Sequence, residues 1–136
     1  MIEQAIYKLL TEDSTVRDIV ATRVYAQTAP QGRALPFITY TRVSGMHYHD
    51  MTGIEGLANV RVQVDCWSDK YAQVKKLAER VRLALDGHQG DVGTFDVRSI
   101  LLESDNDAFV SPFRGEDTGV HRQSMDFQVV ATEATS

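Results

Sequence analysis

The stretch His47-Tyr48-His49-Asp50 holds the densest set of metal-ligand types in the chain. In an extended segment His47 and His49 share one face. A zinc site needs three or four ligands with supporting hydrogen bonds behind them. Spacing converges only two histidines here, so the default reading is solvated side chains on a connecting arm. Cys66 invites a second chemistry, nucleophilic attack, which requires an exposed thiolate beside a base. It is in phase with Val60, Val62 and Val64 on a predicted strand, which makes it a small core residue instead. The acidic pairs Glu12-Asp13, Asp105 with Asp107, and Glu116-Asp117 fall in predicted loops, where carboxylates are solvated. No serine elbow, P-loop or dinucleotide fingerprint occurs. The residues therefore predict no enzyme, no cofactor and no metal site.

The elements that must position these residues are legible from periodicity. Val60 to Ser68 alternates, with Val60, Val62, Val64 and Cys66 on one face and Arg61, Gln63 and Asp65 on the other. The period then changes to that of a helix over 69–86, with Tyr71, Val74, Leu77, Ala78, Val81, Ala84 and Leu85 as its apolar stripe. Ser68 is the expected N-cap and Gly87 the left-handed stop. The outer face, Lys75, Lys76, Glu79, Arg80 and Arg82, reads as a solvated face with ordinary ion pairs. Ile2, Ala5, Ile6, Leu9 and Leu10 predict an N-terminal helix, and Asp13 or Ser14 caps a second with Val16, Ile19 and Val20. Val24 to Ala26 is a short strand, 29–36 a Pro/Gly loop, and Phe37 to Val43 a strand.

Residues 44–58 predict a flexible or bulged β-arm that carries apolar side chains a partner could meet. His88 to Gly93 predicts a loop, Thr94 to Glu103 an alternating strand, and 104–118 a second long loop. Val120 to Thr132 is the last strand, with His121, Gln123, Met125, Phe127 and Val129 on one face. The fold expected is α+β, a single domain over 1–132 with a frayed tail at 133–136. Its mainly antiparallel sheet of four to five strands carries the long helix on one face, with the N-terminal helix nearby. The two long connections hold the candidate partner-binding residues. These are Met46, His47, Tyr48, Met51 and Ile54 on the arm, and Phe109, Val110, Phe113 and Arg114 on the later loop, a mix of aromatics and arginine enriched at interfaces.

The totals agree with such a domain. At 136 residues, 43% hydrophobic and 24% charged, the chain can bury a real core. It has no apolar run of membrane-spanning length and no signal-peptide pattern at its start, and its single cysteine permits no internal disulfide, so cytosolic synthesis is expected. A net charge of −5 argues against tight nucleic-acid binding, though not against a surface past which DNA slides.

Several blocks, taken in order, resemble a known family. They are Tyr25, Ala29-Pro30-Gln31-Gly32, Leu35-Pro36-Phe37-Ile38-Thr39-Tyr40, Val60-Arg61-Val62-Gln63-Val64-Asp65-Cys66-Trp67, and Arg122 with Asp126-Phe127. The family is the tail completion, or tail terminator, family of long-tailed bacteriophages and phage-like particles, and the resemblance spans Ile2 to Val130. It implies a small α/β subunit without catalytic residues or cofactor, located in the virion tail. It further implies a ring, commonly a hexamer, on the head-proximal end of the tail tube, stopping tube polymerisation and meeting the head connector. The implied partners are other copies of itself, the major tail tube protein and the connector proteins, with DNA passing the lumen without tight binding and no membrane. The arm and the later loop match no family pattern. A connector-side head–tail joining protein is the second reading. A small metal-dependent enzyme using His47, His49 and Asp50 is the third.

Overall fold

The structure, a computed structural model, describes residues 2–30, 32, 34–48, 57–110 and 119–133. Helix α1 (Glu3–Glu12) buries Ala5, Ile6 and Leu10, and Ile2 just before it is buried as well. Helix α2 (Ser14–Val20) follows at once. Of the two candidate caps, Asp13 is the one used. Its carboxylate accepts from the Thr15 and Val16 N–H groups, at 2.9 and 3.0 Å, and from the Thr15 hydroxyl. Partial burial works to raise its pKa, but those donors outweigh burial and the carboxyl sits below its usual value. Asp13→Ala is expected to cost about 0.5–2 kcal/mol, read as a shift of the urea midpoint. Asp13→Asn, which keeps an acceptor, should lose much less.

Strands β1 (Val24–Ala26), β2 (Phe37–Tyr48), β3 (Leu57–Ser68), β4 (Gly90–Val92), β5 (Phe95–Val110) and β6 (Val120–Glu133) form one sheet in the order β1-β2-β3-β6-β5-β4. The sheet therefore has six strands rather than four or five. It is mainly antiparallel, and mixed because β1 pairs with β2 in parallel through Val24↔Ile38 to Ala26↔Tyr40. All other pairings are antiparallel. Helix α3 (Tyr71–Leu85) lies on one face and contacts β3, β5 and β6, while α1 packs against both α2 and α3.

The core is the interface between helices and sheet. Val60, Val62, Val64 and Cys66 of β3 and Met125, Phe127, Val129 and Ala131 of β6 meet Val74, Leu77, Val81 and Leu85 of α3, all buried. Alternation in the two central strands thus does what period-two patterning predicts. No helix among the described residues is long and apolar enough to cross a membrane.

Several expectations need correction. Tyr71 does not belong to the buried stripe; at the first turn of α3 it lies beyond the sheet's apolar face and is 51% exposed. Ser68 is the last residue of β3, and the N-cap position falls to Lys70. The Ser68 hydroxyl still serves the turn, accepting from the Lys70 N–H and donating to Gln73 Oε1. Gly87 does end the helix with φ +81°, and its N–H donates to the Ile100 carbonyl. Within the expected loop 88–93, Gly90–Val92 is strand β4. Residues 104–110, read as loop, continue β5, because they pair with β6 from Ser104↔Asp126 to Val110↔Val120.

The strict alternation expected over 94–103 also fails. Register shifts between Val97 and Ser99 and between Leu102 and Ser104 insert single unpaired residues. Each bulge reverses which face the following residues take. Ile100 is therefore buried with Phe95 and Val97, and Leu101 is 53% exposed. At the other end, β6 runs to Glu133, one residue into the tail expected to fray.

Candidate functional site

The residues singled out for chemistry do not assemble into a centre. Cys66 is fully buried, and burial, with the neighbouring Asp65 carboxylate second, pushes its thiol far above the ordinary range. A thiol held protonated in the core is no nucleophile. His47 sits on β2 opposite Ala58, and His49 and Asp50 lie outside the described residues. Among the described residues no three His, Cys, Asp or Glu side chains are grouped to hold a metal ion.

The candidate partner residues divide in the same way. Met46 and Tyr48 lie on β2 opposite Asn59 and Leu57, so the first part of the arm is regular strand. Met51, Ile54, Phe113 and Arg114 lie outside the described residues. Val110 ends β5 opposite Val120, and Phe109 is placed opposite His121.

Phe109 anchors a cluster where the N-terminal end of α3 overhangs the sheet. Its ring lies 4.8 Å from that of His121, which in turn meets Tyr71 edge-on at 5.5 Å. The Tyr71 hydroxyl donates to Asp107 Oδ2 at 3.0 Å. Lys75 Nζ donates to Asp107 Oδ1 and to Gln123 Oε1, and passes 5.3 Å from the Tyr71 ring centre. Beside this cluster runs a groove of about 180 Å³ lined by Lys75, Glu79, Arg82, Asp105 and Gln123 among others. Phe109 and Tyr71 stay about half exposed, at 55% and 51%, so the cluster presents aromatic surface framed by ion pairs.

The hydrogen bond from Lys75, with that from Tyr71 second, holds the Asp107 carboxyl below its usual range. A depressed carboxylate stabilises the fold above its unfolded pKa of about 3.9, and that contribution is lost as pH falls through the lower folded value. Asp107→Asn is therefore expected to flatten the acid limb of the stability curve below about pH 4. The group is solvent-exposed, so the change should be small and should shrink further in high salt. Urea midpoints across the acid range at two ionic strengths measure it.

A second surface lies on the sheet face away from the helices. Alternation places Trp67 on the polar side of β3 with Arg61, Gln63 and Asp65, and register brings it level with Phe37 of β2 and Arg122 of β6. The result is a ladder across four strands. Tyr25 meets Phe37 edge-on at 6.0 Å, Phe37 stacks on Trp67 at 5.8 Å, and the Arg122 guanidinium lies 5.6 Å from the Trp67 ring. Trp67 Nε1 donates to Thr39 Oγ1 at 3.0 Å, while Arg122 Nε is buried with no hydrogen-bond partner among the described residues. Above the ladder the face is polar. Gln63 Nε2 and the Ser124 hydroxyl both donate to Asp65, and the Ser104 hydroxyl donates to Asp126. Sequence reasoning missed this surface. The available signal was a tryptophan in phase with three polar residues.

A family model described as "Tail completion protein gp17" matches residues 4–132. Among solved structures, the chain is similar to one from the "Virion of native gene transfer agent (GTA) particle", with 18% identity and a TM-score of 0.75, over 96% of this chain and 94% of that one. At that identity the likeness is one of fold. No curated protein matches the chain.

Proposed function

We propose that this chain, which belongs to the tail completion protein gp17 family, closes the head-proximal end of a phage or phage-like tail tube as a ring. A tail completion protein is a structural part of the virion tail and not an enzyme. In the proposed reading the ring is a hexamer that stops tube polymerisation and offers its free side to the head connector. The observation that carries the reading is the family match over 4–132, which takes in every helix and strand except the first residue of α1 and the last residue of β6. The exposed Phe109–His121–Tyr71 cluster supports it, because a subunit that meets tube, connector and its own copies needs aromatic contact surface. The net charge of −5 fits a lumen through which DNA passes without sticking.

Deletion of the gene is the test. A terminator's loss gives overlong or unfinished tails. Normal tails beside free, filled heads would overturn the tube-stopping role and leave the connector-side joining role in its place. Electron microscopy of purified tails tests the ring directly.

A further inference from the structure

A strand at the edge of a sheet offers unpaired backbone N–H and C=O groups, and proteins cover or blunt such edges. This chain covers both edges of its sheet, but only in part. On one side β1 lines β2 as far as Tyr40, whose carbonyl also accepts from the Gln27 N–H. From Thr41 to Tyr48 no backbone group among the described residues pairs with the outer edge of β2. On the other side β4 lines β5 over Phe95–Val97. The end of α3 then takes over, with the Gly87 N–H donating to the Ile100 carbonyl and Asp86 Oδ1 accepting from the Leu102 N–H at 3.0 Å. From Glu103 to Val110 the outer edge of β5 has no such backbone cover among the described residues. Neither bare segment contains a proline or a lysine, and each carries a single bulge, between Arg42 and Ser44 in β2 and between Leu102 and Ser104 in β5, that leaves the rest of the segment in regular pairing on its inner side.

The two segments differ in charge. The β5 segment carries Glu103, Asp105 and Asp107 and no basic residue; Asp107 is held by Lys75 and Glu103 lies 3.8 Å from Arg61, so Asp105 is the carboxylate without an ion-pair partner among the described residues. The β2 segment carries Arg42 and His47 and no acidic one. Arg42 pairs with Val62, and Asp105 and Asp107 pair with Met125 and Gln123, so all three lie on the helix-bearing face of the sheet. Two β5 edges would repel one another, whereas a β5 edge and a β2 edge attract.

We infer that the bare edge of β5 in one copy of this chain pairs with the bare edge of β2 in the next, continuing the sheet from subunit to subunit. The inference rests on the ring reading proposed above and names its contact. The contact joins two different patches, so it is heterologous, the type that generates a ring when its rotation closes. Within one chain β2 and β5 run in opposite directions, because β2, β3, β6 and β5 alternate. A ring axis along the strands preserves that direction, which makes the new pairing antiparallel. The bare part of β2 lies towards the β4 end of the sheet and the bare part of β5 towards the β1 end. Successive subunits must therefore be staggered along the strands, as tilted strands in a closed sheet are.

The test is disulfide cross-linking on purified tails. Ser44 (opposite Arg61) and Asn106 (opposite Ser124) are exposed and share the helix-free face, and antiparallel partners come within disulfide reach. Ser44→Cys combined with Asn106→Cys should give, on oxidation, a ladder of covalent multimers ending at the full ring. Ser44→Cys paired instead with Ser104→Cys or Ala108→Cys covers the neighbouring registers. The single variants should give no ladder, and buried Cys66 cannot contribute. Rings seen by electron microscopy with no ladder from any of the three pairs would overturn the edge contact and leave the ring standing. Tails that carry no ring at all would overturn both.

Discussion

Replacing Phe127 by alanine is expected to cost about 3–5 kcal/mol of folding stability. Phe127 is fully buried on β6, the strand between β3 and β5, where register sets it opposite Val62 on one side and Leu102 on the other. The position cannot collapse easily, because its neighbours belong to three paired strands and to the helix above them. Alanine would lose the transfer free energy of the ring and leave a cavity in the sheet's centre. Domains of this size have about 5–15 kcal/mol in total, so about a fifth or more of the margin would go. Calorimetry should show the melting temperature falling by about 10 °C or more. Gln128→Ala, one residue on and facing the helix-free side, should stay within about 0.5–1 kcal/mol of the parent. Equal losses at the two positions would contradict the assignment of faces.

Trp67→Ala should be the next largest loss, at about 3 kcal/mol. The side chain is partly exposed, so burial alone does not account for that figure. The substitution also removes the stack on Phe37, the indole donor to Thr39 Oγ1 and the ring under the Arg122 guanidinium. Trp67→Phe keeps most of the stacking and loses the donor, for about 1 kcal/mol. Because Trp67 is the chain's single tryptophan, unfolding must be followed by circular dichroism. A Trp67→Phe loss as large as that of Trp67→Ala would assign the ladder's strength to the hydrogen bond rather than to the stack.

What could be read from the residues and what could not divides along a physical line. The β3–α3 unit, α1, α2 and β6 announce themselves because each has its own apolar period, and a local period survives folding. Segment 104–110 gave no such signal. Its Ser-Asp-Asn-Asp run has poor strand propensity, and only pairing with β6 holds it extended. The alternation expected over 94–103 breaks before Leu101 because a bulge between Val97 and Ser99, invisible in composition, shifts the phase of β5, and a second between Leu102 and Ser104 shifts it back. The parallel pairing of β1 with β2 depends on a return of the chain through the loop before Phe37, which no local pattern encodes. The Tyr25–Phe37–Trp67–Arg122 ladder is the extreme case. Its members come from four strands, and nothing but register brings them together. The candidate partner residues chosen from the long connections include Phe109, whose contacts with His121 are now defined, but not Trp67 or Arg122.

The strand order has a consequence for how the protein is made. Strand β6 leaves the ribosome after the other five described strands, yet it is inserted between β3 and β5 and holds the two halves of the sheet together. Until it arrives, β1-β2-β3 and β4-β5 are separate fragments with naked inner edges, and the apolar face of α3 has only half its floor. A prematurely terminated chain thus exposes β3 and β5 as templates for aggregation, and such species are substrates for chaperones and proteases. The topology is a completeness check. Only a chain translated through β6 can close its core, so a copy truncated before β6 keeps the inner edges of β3 and β5 exposed.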